Sequence, residues 1–172
     1  SQYLEPGALE ESFSDIAATA SVPPPDGGWD LGAETIKARD AGHPLRNFLE
    51  PAIYDRPGLY AAQIQHVSDK TKCDTLTSGD KCIHDWVGIP NRAAGIVASG
   101  LPGGGGRPFG RVAMADLYLR RLMIGGSMDR SDRFLNLRVK ATAVCKLMAA
   151  RNLALMGFLA PRTLSDPDCD FI

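Results

Sequence analysis

Proline and glycine decide how much regular structure this chain can hold, and they confine it largely to the two ends. Of 172 residues, 18 are Gly and 12 are Pro, and most of both fall between Ser21 and Arg107. Proline removes a backbone donor and fixes φ, and glycine carries the largest entropy cost of ordering. The middle of the chain is therefore expected to hold only short elements joined by long connections. What lies outside it is free to form helices.

At the N-terminal end, Ala8–Ala20 reads as a helix with Leu9, Phe13, Ile16 and Ala20 on one face. Its acidic residues crowd the first turns, where the positive end of the helix dipole favours them. The run Ser21-Val-Pro-Pro-Pro-Asp-Gly-Gly stops it and reads as a linker. At the other end, Val112, Ala115, Leu119 and Leu122 form a stripe at helical spacing, closed by Gly125-Gly126. Ser131 suits an N-cap for a second helix running to about Leu159, with Phe134, Leu137, Ala141, Val144, Met148, Leu155 and Leu159 along it. Two such helices joined by a short Gly-containing turn predict an αα-hairpin.

Between these ends the signals are weaker. Leu31–Asp40 is expected to form one short helix. Prolines 44, 51 and 57 punctuate a segment in which Phe48, Leu49, Ile53 and Tyr54 pin one or two helical turns to the body. Leu59–Val67 fits helix or strand equally, Ser68–Asp80 reads as a loop, Cys82–Val87 is short and apolar, and Asn91–Ser99 is weakly helical. Leu101-Pro-Gly-Gly-Gly-Gly-Arg marks an exposed loop; it lacks the spacing of a phosphate-binding motif. The expected fold is mainly α: a C-terminal helical hairpin with short helices, long Pro/Gly-rich loops and room for one short strand pair in the middle. The expected organisation is an acidic arm and linker over residues 1–28 and one helical domain over residues 29–172.

Charge follows the same division. From Ser1 to Asp40 there are eight acidic and two basic residues; from Arg107 to Arg151 there are ten basic and three acidic. The whole chain carries only −1, which argues against a surface coated by nucleic acid. Arg120, Arg121, Arg133, Arg138 and Lys140 are the residues expected to dock an acidic protein partner or to touch anionic lipid headgroups at the membrane periphery. No apolar run of about 18 residues is uninterrupted, so no transmembrane segment is expected. Ser1–Pro6 shows no secretory signal, and the absence of an initial Met reads as processing or trimming.

The chemistry-bearing residues gather in the middle: His66, Cys73, Cys82 and His84. Thiolate and imidazole are tetrahedral zinc ligands, but the spacing H-x6-C-x8-C-x-H is not the paired clamp of structural zinc sites. The same residues admit a Cys73–Cys82 disulfide, contributing about 2–3 kcal/mol by loop entropy, or unlinked thiols. They also admit a Cys82 nucleophile served by His66 or His84 with Asp85, although no thiol-enzyme signature surrounds it. A disulfide-permissive compartment (organelle lumen, periplasm or extracellular space) is favoured over the cytosol.

With no catalytic motif of comparable strength and no cofactor expected, the first functional expectation is a non-enzymatic structural subunit. It would belong to a larger organellar, photosynthetic, respiratory or bacterial envelope complex and act through other protein subunits. The alternative is a small secreted or periplasmic hydrolase using a Cys/His or Ser/His site. A third is a zinc-stabilised binding module.

Overall fold

The computed structural model describes residues 3–23, 28–32, 44–53, 63–73, 81–100, 108–124, 132–150 and 169. The fold is mainly α. In chain order the elements are α1 (Leu4–Ser21), β1 (Asp30–Leu31), β2 (Arg46–Asn47), a 3-10 helix (Val67–Lys72), α2 (Lys81–Trp86), α3 (Gly88–Ser99), α4 (Arg111–Ala115), a π-helical stretch (Asp116–Ile124) and α5 (Phe134–Ala150). They fall into two compact units, Ser1–Arg92 and Ala93–Ile172. The break between them lies at Arg92/Ala93, inside α3.

In the first unit, α1 starts one turn earlier than its periodicity indicates. Pro6 is accommodated because the N–H groups of a first turn have no helical partner. Leu4, Ala8, Leu9, Phe13 and Ile16 are buried on it, and so are Glu5, Ser12, Asp15 and Thr19. A helix buried this far around its circumference is core rather than an arm. Its tightest neighbour is α2: a Cβ placed on Gly7 would lie 2.9 Å from Ile83 Cδ1.

The two short strands pair antiparallel, with Asp30 opposite Asn47 and Leu31 opposite Arg46. Leu31 therefore lies in a strand and Gly32 in a bend; residues 33–40 of the expected Leu31–Asp40 helix lie outside the described residues, as does Tyr54. Asn47 closes the pair by accepting from the N–H groups of Leu49 and Glu50, an Asx-type turn, while its amide donates to Asp30. Phe48 is fully buried, and its ring centroid lies 6.3 Å from that of Trp29. The expected loop over Ser68–Asp80 opens as the 3-10 helix, and the short apolar segment at Cys82 is helical.

In the second unit α4 runs into the π-helical stretch, which packs against α5. Of the stripe read at α-helical spacing, Ala115 and Leu122 are buried and Val112 is 49% exposed; Ala113, Met114, Leu117 and Tyr118 are buried beside them. From Asp116 on, bonding from i to i+5 lengthens each turn. It also brings Arg121, five residues on, to 3.6 Å from the buried Asp116, with Arg120 at 3.7 Å. Burial pushes the Tyr118 hydroxyl pKa strongly upward. On α5 the buried face is Phe134, Leu137, Ala141, Cys145 and Met148. Asp132, just before it, accepts from Asn136 at 2.9 Å and from Lys140 at 2.7 Å. The Gly-rich loop after Leu101, the turn around Gly125 and the end of the second helix beyond Ala150 lie outside the described residues.

Among the described residues, ion pairs form within each unit. Carboxylates of α1 meet Arg46, Lys70 and His84 of their own unit, and Asp116 and Asp132 meet Arg120, Arg121 and Lys140 of theirs. Arg133 and Arg138 are exposed. Among the described residues, no helix is long and apolar enough to cross a membrane.

Candidate active site

Three elements of the first unit converge on one face of α1. Glu11 and Asp15 are four residues apart and so stack on neighbouring turns. Arg46 on β2 reaches both: Nη1 donates to the two oxygens of Asp15 at 2.7 Å, and Nη2 donates to Glu11 Oε2 at 2.9 Å. The Arg46 and Asp15 side chains are only 11% and 9% exposed, whereas Glu11 is 32% exposed. Asn91 of α3, fully buried, adds a 2.7 Å bond from Nδ2 to Asp15 Oδ2. Burial pushes the Asp15 carboxyl above its ordinary range, while the charge of Arg46 and the bonds from Asn91 and Arg46 pull the other way.

His84 of α2 completes the cluster. Its Nδ1 lies 2.9 Å from Glu11 Oε2. A carboxylate only accepts, so Nδ1–H donates, and Nε2 remains on an imidazole that is 59% exposed. Glu11 receives both Arg46 and His84 on Oε2; among the described residues nothing donates to its Oε1. The cluster therefore presents a buried, immobilised base (Asp15, Arg46, Asn91) and an accessible rim (Glu11 Oε1 and His84 Nε2).

The other residues singled out in the sequence go elsewhere. Cys73 and Cys82 are joined in a disulfide, as are Cys145 and Cys169. A disulfide sulfur is neither a thiolate ligand nor a nucleophile, so the Cys/His zinc module and the Cys82 nucleophile are both removed. His66 is separated from His84: its Nε2 accepts from Arg92 Nη1 at 3.1 Å, which leaves the ring proton on Nδ1. Among the described residues no group of three His, Cys, Asp or Glu side chains is arranged to hold a metal ion. Burial raises the pKa of Asp85, against the pull of His84 and Lys81, and its Oδ2 lies 3.4 Å from Cys73 Sγ. Glu11, Asp15, Arg46 and Asn91 were missed in the sequence: the acidic residues of α1 read as an acidic arm favoured by the helix dipole. The available signal was Asp15, which sits one residue from Ile16 in the apolar stripe.

Residues 2–153 match the family described as thermolysin metallopeptidase, alpha-helical domain. The chain belongs to this family. No curated protein matches it. Membership in the thermolysin family overturns the expectation of a non-enzymatic structural subunit and favours the hydrolase alternative. The two disulfides agree with a disulfide-permissive compartment.

A thermolysin-type zinc centre uses two His and one Glu, the histidines spaced as H-E-x-x-H on one helix. This sequence contains no H-E-x-x-H, and its histidines stand at 43, 66 and 84. The residues present nevertheless fit one part of such a centre. Glu11 offers a carboxylate oxygen that no described donor occupies, and its other oxygen is held by Arg46 and His84. The bond from Arg46 is the outer hydrogen bonding that orients a ligating carboxylate.

Proposed function

We propose that this chain forms the helical side of a zinc peptidase active site, acting on peptide bonds in a disulfide-permissive, extracellular setting. The observation that carries the reading is the shared Oε2 of Glu11. One α1 carboxylate is braced by a partly buried arginine and an accessible histidine, within a domain of the thermolysin family.

In this reading Glu11 is the single carboxylate ligand, and the two histidines of the set are not among these residues. Bound zinc would polarise the scissile carbonyl and lower the pKa of its water. Arg46, itself fixed by Asp15, holds Glu11 in one orientation and spreads positive charge behind it. His84 faces the substrate. With Nδ1–H committed to Glu11, a proton on Nε2 makes the ring a donor to the oxyanion that develops on the carbonyl; handing that proton on serves the departing amine. Only a ring that carries a hydrogen on Nε2 performs these tasks.

The test uses the complete protein with an internally quenched peptide substrate and a measurement of bound zinc. His84→Ala should lower kcat by about a hundredfold or more and leave zinc content unchanged. Glu11→Gln should lower zinc content and activity together. Full zinc occupancy and full activity in Glu11→Gln would overturn the assignment.

A further inference from the structure

We infer that the Cys73–Cys82 disulfide is a positioning element of this active site, fixing the short helix that presents His84 to Glu11. The inference rests on the peptidase reading of Glu11 and His84. Cys82 and His84 share α2, a helix of only six residues. A helix this short does not hold itself, because nucleation costs more than so few hydrogen bonds return. Its placement must therefore come from outside.

The ties that supply it can be followed residue by residue. At its C-terminal end, the Ile64 N–H donates to Asp85 O at 2.9 Å and Gln63 Nε2 donates to His84 O at 2.8 Å. Across α1, Ile83 packs against Gly7. At its N-terminal end the tie is covalent: fully buried Cys82 is bonded to Cys73, which directly follows the 3-10 helix. That 3-10 helix is in turn fastened at Lys70. Its ammonium ion-pairs with Glu5 of α1 and lies 5.3 Å from the centre of the Trp86 ring of α2. Cys73 N–H donates to Lys70 O at 3.2 Å, so the anchor and the cysteine move as one piece.

The result is a closed circuit. It runs from Glu5 on α1 through Lys70, Cys73 and Cys82 to His84, and returns to α1 at Glu11, six residues from where it began. Breaking it at the disulfide leaves every catalytic atom in place in the sequence but frees the N-terminal end of α2. His84 would then sample orientations in which Nδ1 does not meet Glu11. Zinc binding through Glu11 does not depend on that end of α2. The disulfide should therefore act on turnover and not on metal occupancy.

The experiment compares Cys73→Ser/Cys82→Ser with His84→Ala and with their combination, in the complete protein, reading kcat, KM and bound zinc. The disulfide variant should lose about tenfold or more in kcat, with KM within about twofold and zinc retained. Added to His84→Ala it should cost nothing further, because both changes remove the same contact. Cys145→Ser/Cys169→Ser should leave kcat unchanged. Should the serine pair fail to fold by circular dichroism, Cys73→Val/Cys82→Ala, which refills the buried space with apolar atoms, takes its place. Unchanged kcat in a folded disulfide variant, or full additivity with His84→Ala, overturns the inference. Unchanged kcat in His84→Ala overturns the peptidase role of His84 instead.

Discussion

Replacing Arg46 by Met tests the base of the site most directly. Methionine keeps much of the apolar stem but removes the guanidinium that serves Asp15 and Glu11 together. The Asp15 pair is almost dry, with both side chains about a tenth exposed. Breaking such a pair by deleting one partner costs about 3–5 kcal/mol, since it leaves the other charge buried and uncompensated. The Glu11 contact, a third exposed, adds at most about 1 kcal/mol. The assay is guanidinium unfolding across pH. Asp15 already has a folded-state pKa raised by burial, and losing Arg46 must raise it further. The native state then holds the Asp15 proton more tightly than the unfolded chain, so stability falls as pH rises through the folded pKa and recovers below it. The deficit of Arg46→Met should therefore be largest near neutral pH and shrink on acidification. Adding Asp15→Asn should return part of the loss, because no buried charge is then left unpaired. A deficit below about 1 kcal/mol at neutral pH, or one independent of pH, would refute the account of this pair as a desolvated brace.

Gly88→Ala should destabilise by about 1–3 kcal/mol in the same unfolding assay. Its Cβ would lie 2.6 Å from Ile64 O and 2.9 Å from Pro51 Cβ, and a backbone carbonyl cannot swing aside as a side chain can. The two disulfides should differ in stability as their loops differ. Removing Cys145–Cys169, which spans 24 residues, should cost about 3–4 kcal/mol against about 2–3 kcal/mol for Cys73–Cys82, which spans 9. Paired denaturation curves of the two double-serine variants would show it.

Several elements were legible from residue pattern alone, for a definite reason. Leu9, Phe13 and Ile16, and Phe134, Leu137, Ala141 and Met148, repeat at a spacing that only a helix can bury on one side, and they are buried. The Cys73–Cys82 bridge was among the readings that nine residues of separation allowed. The π-helical stretch was not legible, because an apolar stripe read at α spacing says nothing about a turn widened around Asp116 and Arg121. Nor did α2 announce itself, since six residues give too little periodicity to read.

The site divides along the same line. The sequence by itself determined a mainly helical chain, the irregular middle, and a chemistry-bearing patch that included His84. Only tertiary structure decided its partners. His66 and the cysteines, near in sequence, went to Arg92 and to each other, while His84 met Glu11, 73 residues away, on the oxygen that Arg46 also holds. Sequence patterns report local spacing and solvent preference, and a carboxylate on a helix satisfies both whether it faces water or an arginine. Which of the two it meets depends on chain segments brought together by packing. That is why the acidic residues of α1 read as a charged arm, while in the structure Glu11 and Asp15 meet Arg46 and Glu11 meets His84.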